Sequence, residues 1–221
     1  MNVDDTNENE SSVASLSEEN LIHTVMQLFV AGSETTVTTL RWCFLHMIAY
    51  PDIQSRVQDE IDSVVGRNSL PRVSDKLPFT KATIMEVQRI ASIVPMGVPH
   101  VAATDTTLRG YFIPKGTMII SNLWAIHHNQ DTWDEPEKFK PERFLDSNGD
   151  LCHQNEYIPF SIGRRACLGE NLAKMELFVH FTHLLHQFSF KKPKESPPIT
   201  FESNLGATSA PLPFELIVTK R

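Results

Sequence analysis

Several classes of protein are excluded by what this 221-residue chain lacks. No apolar run is long enough to cross a bilayer as a helix. The N-terminus carries no basic stretch followed by an apolar one, so no cleavable secretory leader is expected. Cysteine occurs only at Cys43, Cys152 and Cys167. Three thiols form no paired framework, which suits a reducing compartment. Positive charge is short as well: the net charge is −7, which argues against a nucleic-acid surface. There are no internal repeats, and low complexity is confined to the Asn-, Asp-, Glu- and Ser-rich residues 1–15, which read as a disordered lead-in. What remains is a globular composition, 41% hydrophobic, enough for one large domain or two small ones.

The pattern along the chain predicts a mainly α protein with small β-sheets. Ser15 with Glu18 suggests a capping box. From Leu21 an apolar helical pattern runs about thirty residues to the stop at Tyr50-Pro51. Its apolar positions spread around the circumference, as in a helix crossing a core. Its middle, Ala31-Gly32-Ser33-Glu34-Thr35-Thr36, is poor helix-centre chemistry. That suggests a local widening at a functional site, or Thr35 bonded back to its own helix. Pro51 starts a surface helix with Ile53, Val57, Ile61, Val64 and Val65 on one face, ended by Gly66. Another helix runs from Pro78 to Val94-Pro95. Short strands are expected at residues 98–101, 106–108, 111–113 and 117–121, in one small sheet with a turn at Arg109-Gly110. Residues 122–148 read as irregular, anchored by Trp124, Trp133 and Phe139. A last helix from Gly169 to Phe188 carries His180, His183 and His186, read as a partly exposed polar edge. A strand over 214–218 closes the chain. The pairs His127-His128 and Cys152-His153 match no common zinc spacing.

One stretch concentrates chemistry: Phe160-Ser161-Ile162-Gly163-Arg164-Arg165-Ala166-Cys167-Leu168-Gly169. Its glycines permit positive φ and close backbone approach, and a turn there can aim N–H groups inward. A cysteine before a helix N-terminus, with arginines nearby, is biased toward thiolate. A phosphatase-type loop wants its arginine after the cysteine; Arg164 and Arg165 come before it. A thiolate ligating haem iron wants the order found here. A buried structural cysteine in a glycine turn is the plain alternative.

The stretch resembles the cysteine-ligand signature of the cytochrome P-450 haem-thiolate enzymes. That signature is Phe, two residues, Gly, one residue, Arg, one residue, Cys, one residue, Gly, and every fixed position is matched. Three other elements occur in the family's order: Ala31-Gly32-Ser33-Glu34-Thr35, then Glu86-Val87-Gln88-Arg89, then Pro141-Glu142-Arg143-Phe144. The resemblance spans nearly all of residues 16–221. It implies the C-terminal half of the cytochrome P-450 fold, with a long central helix over a haem and the cysteine loop below it. It looks closest to the animal microsomal drug- and fatty-acid-oxidising members. The family's N-terminal half and membrane anchor are then expected to be absent, leaving an apolar haem face uncovered and weak haem binding by the chain alone.

The resemblance also assigns roles. Cys167 would be the axial ligand to haem b, with Arg165 and His100 toward its propionates. Phe160 would shield the sulfur, and Gly163, Ala166 and Gly169 would shape the loop. Glu34 and Thr35 would manage protons. Glu86, Arg89 and Arg143 would form a buried brace. Phe29, Ala31, Val94, Val98 and Leu205 would line the substrate space. The implied reaction is insertion of one oxygen atom from O2 into a lipophilic substrate. Electrons would come from NADPH through an NADPH-cytochrome reductase, with cytochrome b5 as a further partner, at the cytosolic face of the endoplasmic reticulum membrane. A haem-thiolate isomerase or lyase and a non-catalytic fragment are the alternatives.

Overall fold

The computed structural model describes residues 17–152 and 154–221. The lead-in expected over residues 1–15, Ser15 of the capping box and His153 lie outside them. The elements in order are α1 (Glu18–Ala49), α2 (Pro51–Val65), α3 (Pro78–Ala91), β1 (His100–Val101), β2 (Thr106–Leu108), β3 (Tyr111–Ile113), β4 (Met118–Ile119) and α4 (Leu123–His127). Two 3-10 turns follow, Pro141–Phe144 and Gly163–Arg165. Then come α5 (Glu170–Gln187), β5 (Phe188–Lys191), β6 (Ser203–Leu205), β7 (Ser209–Pro211) and β8 (Ile217–Lys220).

Helix α1 starts where the Ser17 side chain accepts the Asn20 N–H at 3.2 Å. It ends at Tyr50, whose N–H reaches the His46 carbonyl at 2.8 Å, with Pro51 already opening α2. The widening expected at its centre does not occur, and α1 is a continuous α-helix. Instead the Thr35 hydroxyl donates to the Ala31 carbonyl at 2.7 Å, and that of Thr39 to the Thr35 carbonyl at 2.8 Å. Folding the hydroxyl back onto the helix satisfies it where no outside partner is offered. Only the second half of α1 crosses the core. Trp42, Cys43, Leu45 and Met47 are buried there, whereas Leu21, Ile22, Met26, Phe29 and Val30 stay exposed.

The buried half of α1 packs with α2, α3 and α5 around Val57, Ile61, Leu77, Val87, Leu177, Phe181 and Leu185. Two polar side chains make this packing specific. Gln54 donates to the Met47 and Phe190 carbonyls at 2.9 and 2.8 Å and accepts the Phe190 N–H at 2.7 Å. Glu60 of α2 accepts the N–H groups of Phe79 and Thr80 at 2.8 Å each, which caps α3 with negative charge at its positive end.

Several sequence expectations shift. Val64 is half exposed, so the buried face of α2 rests on Ile53, Val57 and Ile61. The single small sheet expected over residues 98–121 is instead two separate antiparallel pairs, β1–β4 and β2–β3, and two further pairs, β5–β8 and β6–β7, form near the C-terminus. The Arg109-Gly110 turn has φ of 49° and 84°, the paired left-handed conformation that two-residue hairpins favour. Helix α5 ends at Gln187, and Phe188 begins β5, paired with Lys220 of β8. The segment read as irregular contains α4, and Trp124 is 48% exposed while Trp133 and Phe139 are buried. His186 is buried rather than at a polar edge. Its Nε2–H donates to the Gly66 carbonyl, and that of His183 to the Pro71 carbonyl, each at 2.8 Å.

Candidate functional site

The cysteine loop closes on itself. The Cys167 N–H donates to the Phe160 carbonyl at 2.9 Å, spanning the signature, and the Ala166 N–H to the Gly163 carbonyl at 3.1 Å. Two residues take left-handed backbone to make the turn, Ser161 at φ 63° and Gly163 at φ 80°. Gly163 tolerates this without a Cβ penalty, and Ser161 does so with its N–H held by the Ile158 carbonyl at 3.0 Å. Among the described residues the N–H groups of Leu168 and Gly169 have no carbonyl partner. A Cβ at position 169 would stand 3.9 Å from the Cys167 Sγ, so glycine keeps that side of the sulfur open.

Cys167 is exposed, unlike buried Cys43 and half-buried Cys152. Phe160 is half-buried and lies 5.7 Å beneath the Lys174 ammonium. Arg164 and Arg165 are exposed and pair with no described residue, whereas Lys174 bonds Glu170 at 2.6 Å. Ile162 and Leu168 are 69% and 87% exposed. No group of three or more metal-binding side chains occurs among the described residues. One soft thiol framed by apolar side chains and free cations fits an apolar, anionic-edged ligand whose metal brings its other donors with it.

Behind the loop sits a buried ionic cluster. Arg89 grips Glu86 through both carboxylate oxygens, Nε to Oε2 at 2.8 Å and Nη2 to Oε1 at 2.9 Å. Arg143 donates from Nε to the same Oε1 at 3.0 Å, as does the Lys140 N–H. Two of the three remaining guanidinium protons of Arg89 go to the carbonyls of His127 and Pro136 at 2.7 and 2.8 Å, and Arg143 Nη1 reaches the Asp134 carbonyl at 2.8 Å. The Glu86 and Arg89 side chains are fully buried and that of Arg143 is nearly so. Satisfying every charge in this way is what makes burial tolerable.

His127 carries the cluster toward the loop. Its carbonyl accepts an Arg89 N–H, and its Nε2 accepts the Ile158 N–H at 3.1 Å, one turn before Ser161. An accepting Nε2 leaves the ring proton on Nδ1, 3.5 Å from the Ser92 hydroxyl. Burial, then the Arg89 charge and that of His128, pushes the His127 pKa down to about 4. Tyr157 adds a second tie, its hydroxyl donating to Gln88 Oε1 at 2.6 Å. Sequence reasoning weighed His127 only as a zinc ligand. The one local signal was its position four residues after Leu123 on the buried face of α4, and five residues of helix are too few to show a period.

On α1, Glu34 is exposed and Thr35 half-buried. Glu34 Oε1 accepts from the Thr208 hydroxyl at 3.1 Å and the Thr38 hydroxyl at 3.4 Å. Thr36 reaches Glu176 of α5 at 3.4 Å, tying α1 to the helix that follows the cysteine loop. The β6–β7 turn also meets the segment after α3, through the Ser209 N–H to the Ile93 carbonyl at 2.7 Å. The structure thus gathers Glu34, Thr35, half-buried Val94 and the turn beginning at Leu205. Phe29, Ala31, Val98 and Leu205 are exposed, and His100 opens β1 opposite Ile119, also exposed.

A family model for cytochrome P450 matches residues 1–218. Cytochrome P450 2U1 of Homo sapiens is 45% identical over 213 residues, covering 96% of this chain and 39% of that protein. Cytochrome P450 2D15 of Canis lupus familiaris is 47% identical over 209 residues, 94% of this chain and 42% of that protein. Cytochrome P450 2J2 of Homo sapiens is 46% identical over 205 residues, 92% of this chain and 40% of that protein. The chain spans about two fifths of the length of the curated relatives it matches.

Proposed function

The chain belongs to the cytochrome P450 family, and from that membership we propose that residues 16–221 form the haem-binding part of a haem-thiolate monooxygenase acting on a lipophilic substrate. Haem b, when bound, supplies activation of O2 and transfer of one oxygen atom to the substrate. Cys167 is its thiolate ligand. Arg165 and His100 hold the propionates, and Phe160, Gly163, Ala166 and Gly169 shape the loop. The free N–H groups of Leu168 and Gly169 temper the sulfur's charge. Glu86, Arg89 and Arg143 hold the loop in position through His127 and Ile158.

Thr35 spends its proton on the Ala31 carbonyl. Its Oγ1 therefore presents lone pairs outward and receives a hydrogen there, while Glu34 supplies and recovers protons at its carboxylate. Phe29, Ala31, Val94, Val98 and Leu205 exclude water and contact the substrate. Electrons arrive from NADPH through an NADPH-cytochrome reductase or cytochrome b5. Both dock where Arg164 and Lys174 offer positive charge. The setting is the cytosolic face of the endoplasmic reticulum, with membrane attachment outside the described residues. No described helix is long and apolar enough to cross a membrane.

The observation that carries this reading is an exposed thiol in a self-closed loop, backed by a fully satisfied buried ionic cluster. The test is reconstitution with haem, followed by the reduced carbon-monoxide difference spectrum. A weak thiolate-ligated signal is expected from the chain alone, which Cys167→Ala abolishes and Cys43→Ala and Cys152→Ala leave in place. Survival of the signal in Cys167→Ala would remove the assignment.

A further inference from the structure

Glu34 is the acid of the proposed chemistry, yet it stands exposed on α1, with a long side chain that the helix alone leaves free to rotate. Its Oε1 is held from across the molecule. Thr208 of the β6–β7 turn donates to it at 3.1 Å, Thr38 lies 3.4 Å from it, and the two threonine hydroxyls are 3.2 Å apart. Thr38 and Thr208 are 1% and 6% exposed. Two buried hydroxyls need acceptors, and the carboxylate is the one they share.

Thr208 is itself held rigidly. Its carbonyl accepts the Gly206 N–H at 3.0 Å. The next residue, Ser209, is pinned three ways: N–H to the Ile93 carbonyl at 2.7 Å, carbonyl to Trp42 Nε1 at 2.8 Å, and hydroxyl to Ser203 at 2.8 Å. Arg41 adds a bond to the Pro211 carbonyl at 2.9 Å. The donor is thus fixed in place and the acceptor is the mobile partner, so the turn sets where the carboxylate sits.

Resting on the role proposed above for Glu34, we propose that Thr208 is the positioning residue for the acid. Thr208 links the β6–β7 turn, with Leu205 at its start, to proton handling on α1. A substrate that fits against Leu205 leaves the turn and the carboxylate in place, and one that displaces the turn misplaces the acid.

The test uses this chain with Thr208→Val, Thr208→Ser, Glu34→Ala and the Thr208→Val/Glu34→Ala pair. Amide hydrogen exchange is followed over residues 31–38 and 203–211. Thr208→Val and Glu34→Ala, which remove the donor and the acceptor of the bond, should each speed exchange in the turn about fivefold. The pair should do no more than either single change, and Thr208→Ser should exchange like the parent. Additive effects, or a turn indifferent to Glu34→Ala, overturn the proposal; a Thr208→Val chain that does not fold leaves Glu34→Ala and Thr208→Ser to decide it. In a haem-loaded full-length enzyme that contains these residues, Thr208→Val should lower product formed per NADPH consumed with KM unchanged. If Glu34→Gln leaves that ratio intact, the acid role itself fails, whatever the exchange shows.

Discussion

The two halves of α1 are made of similar residues and meet opposite fates. From Thr36 onward the helix is locked among α2, α3 and α5, with Cys43 and Met47 wholly buried. Before it, Phe29 and Val30 are 71% and 69% exposed on the same continuous helix. The cysteine loop shares the open character of that first half, with Leu168 at 87%. The ionic cluster behind the loop shares the closed character of the second. Stability therefore resides in the closed part, and the groups proposed for chemistry sit at its edge.

The sharpest way to break this contrast is to unbalance the buried charges. Glu86→Ala strands Arg89 and should cost about 3–5 kcal/mol in urea unfolding. A loss below about 1 kcal/mol would mean that water reaches the cluster and that its burial is not real. Next comes a matched pair of truncations along the two regions. Phe181→Ala, in the closed core, should cost about 3–5 kcal/mol, and Phe29→Ala, on the open helix, no more than about 0.5 kcal/mol. Equal costs would erase the distinction between the halves.

Acid probes the closed region alone. His46 and His127 are buried and neutral, each with its pKa pushed down to about 4, chiefly by burial. The unfolded chain binds these protons first, near the ordinary value of 6.5. Stability from both is therefore complete above pH 6.5 and drains away as pH falls toward 4. Between pH 7 and 5 each should contribute a loss of about 2 kcal/mol. Urea midpoints at the two pH values check this, and His127→Gln should flatten part of the slope. Smallest is Ser17→Ala at the start of the open half. Removing this cap should cost the helix about 1 kcal/mol or less, seen as faster exchange over residues 18–30 with the urea midpoint unmoved.

Much of the architecture was legible from local signals. Pro51 and Pro78 marked two helix starts, the Arg109-Gly110 pair marked its hairpin, and the spacing around Cys167 marked the loop. Glu86, Arg89 and Arg143 could be singled out by their order but not by their surroundings. A Glu and an Arg three apart on a helix describe a solvated pair as well as a buried one, and only burial separates them. The π-type widening failed because Thr35 and Thr39 found a cheaper arrangement, bonding to their own helix.

The sequence by itself determined where the long helices run and which loop holds the exposed thiol, because helical period, proline starts and glycine turns act over a few residues. Tertiary structure alone decided that His127 would accept a hydrogen bond from the Ile158 N–H, that half of α1 would be covered, and that Glu34 would meet Thr208, 174 positions away. Those outcomes depend on which surfaces meet once the chain has folded back on itself, and no local pattern encodes a meeting at that separation.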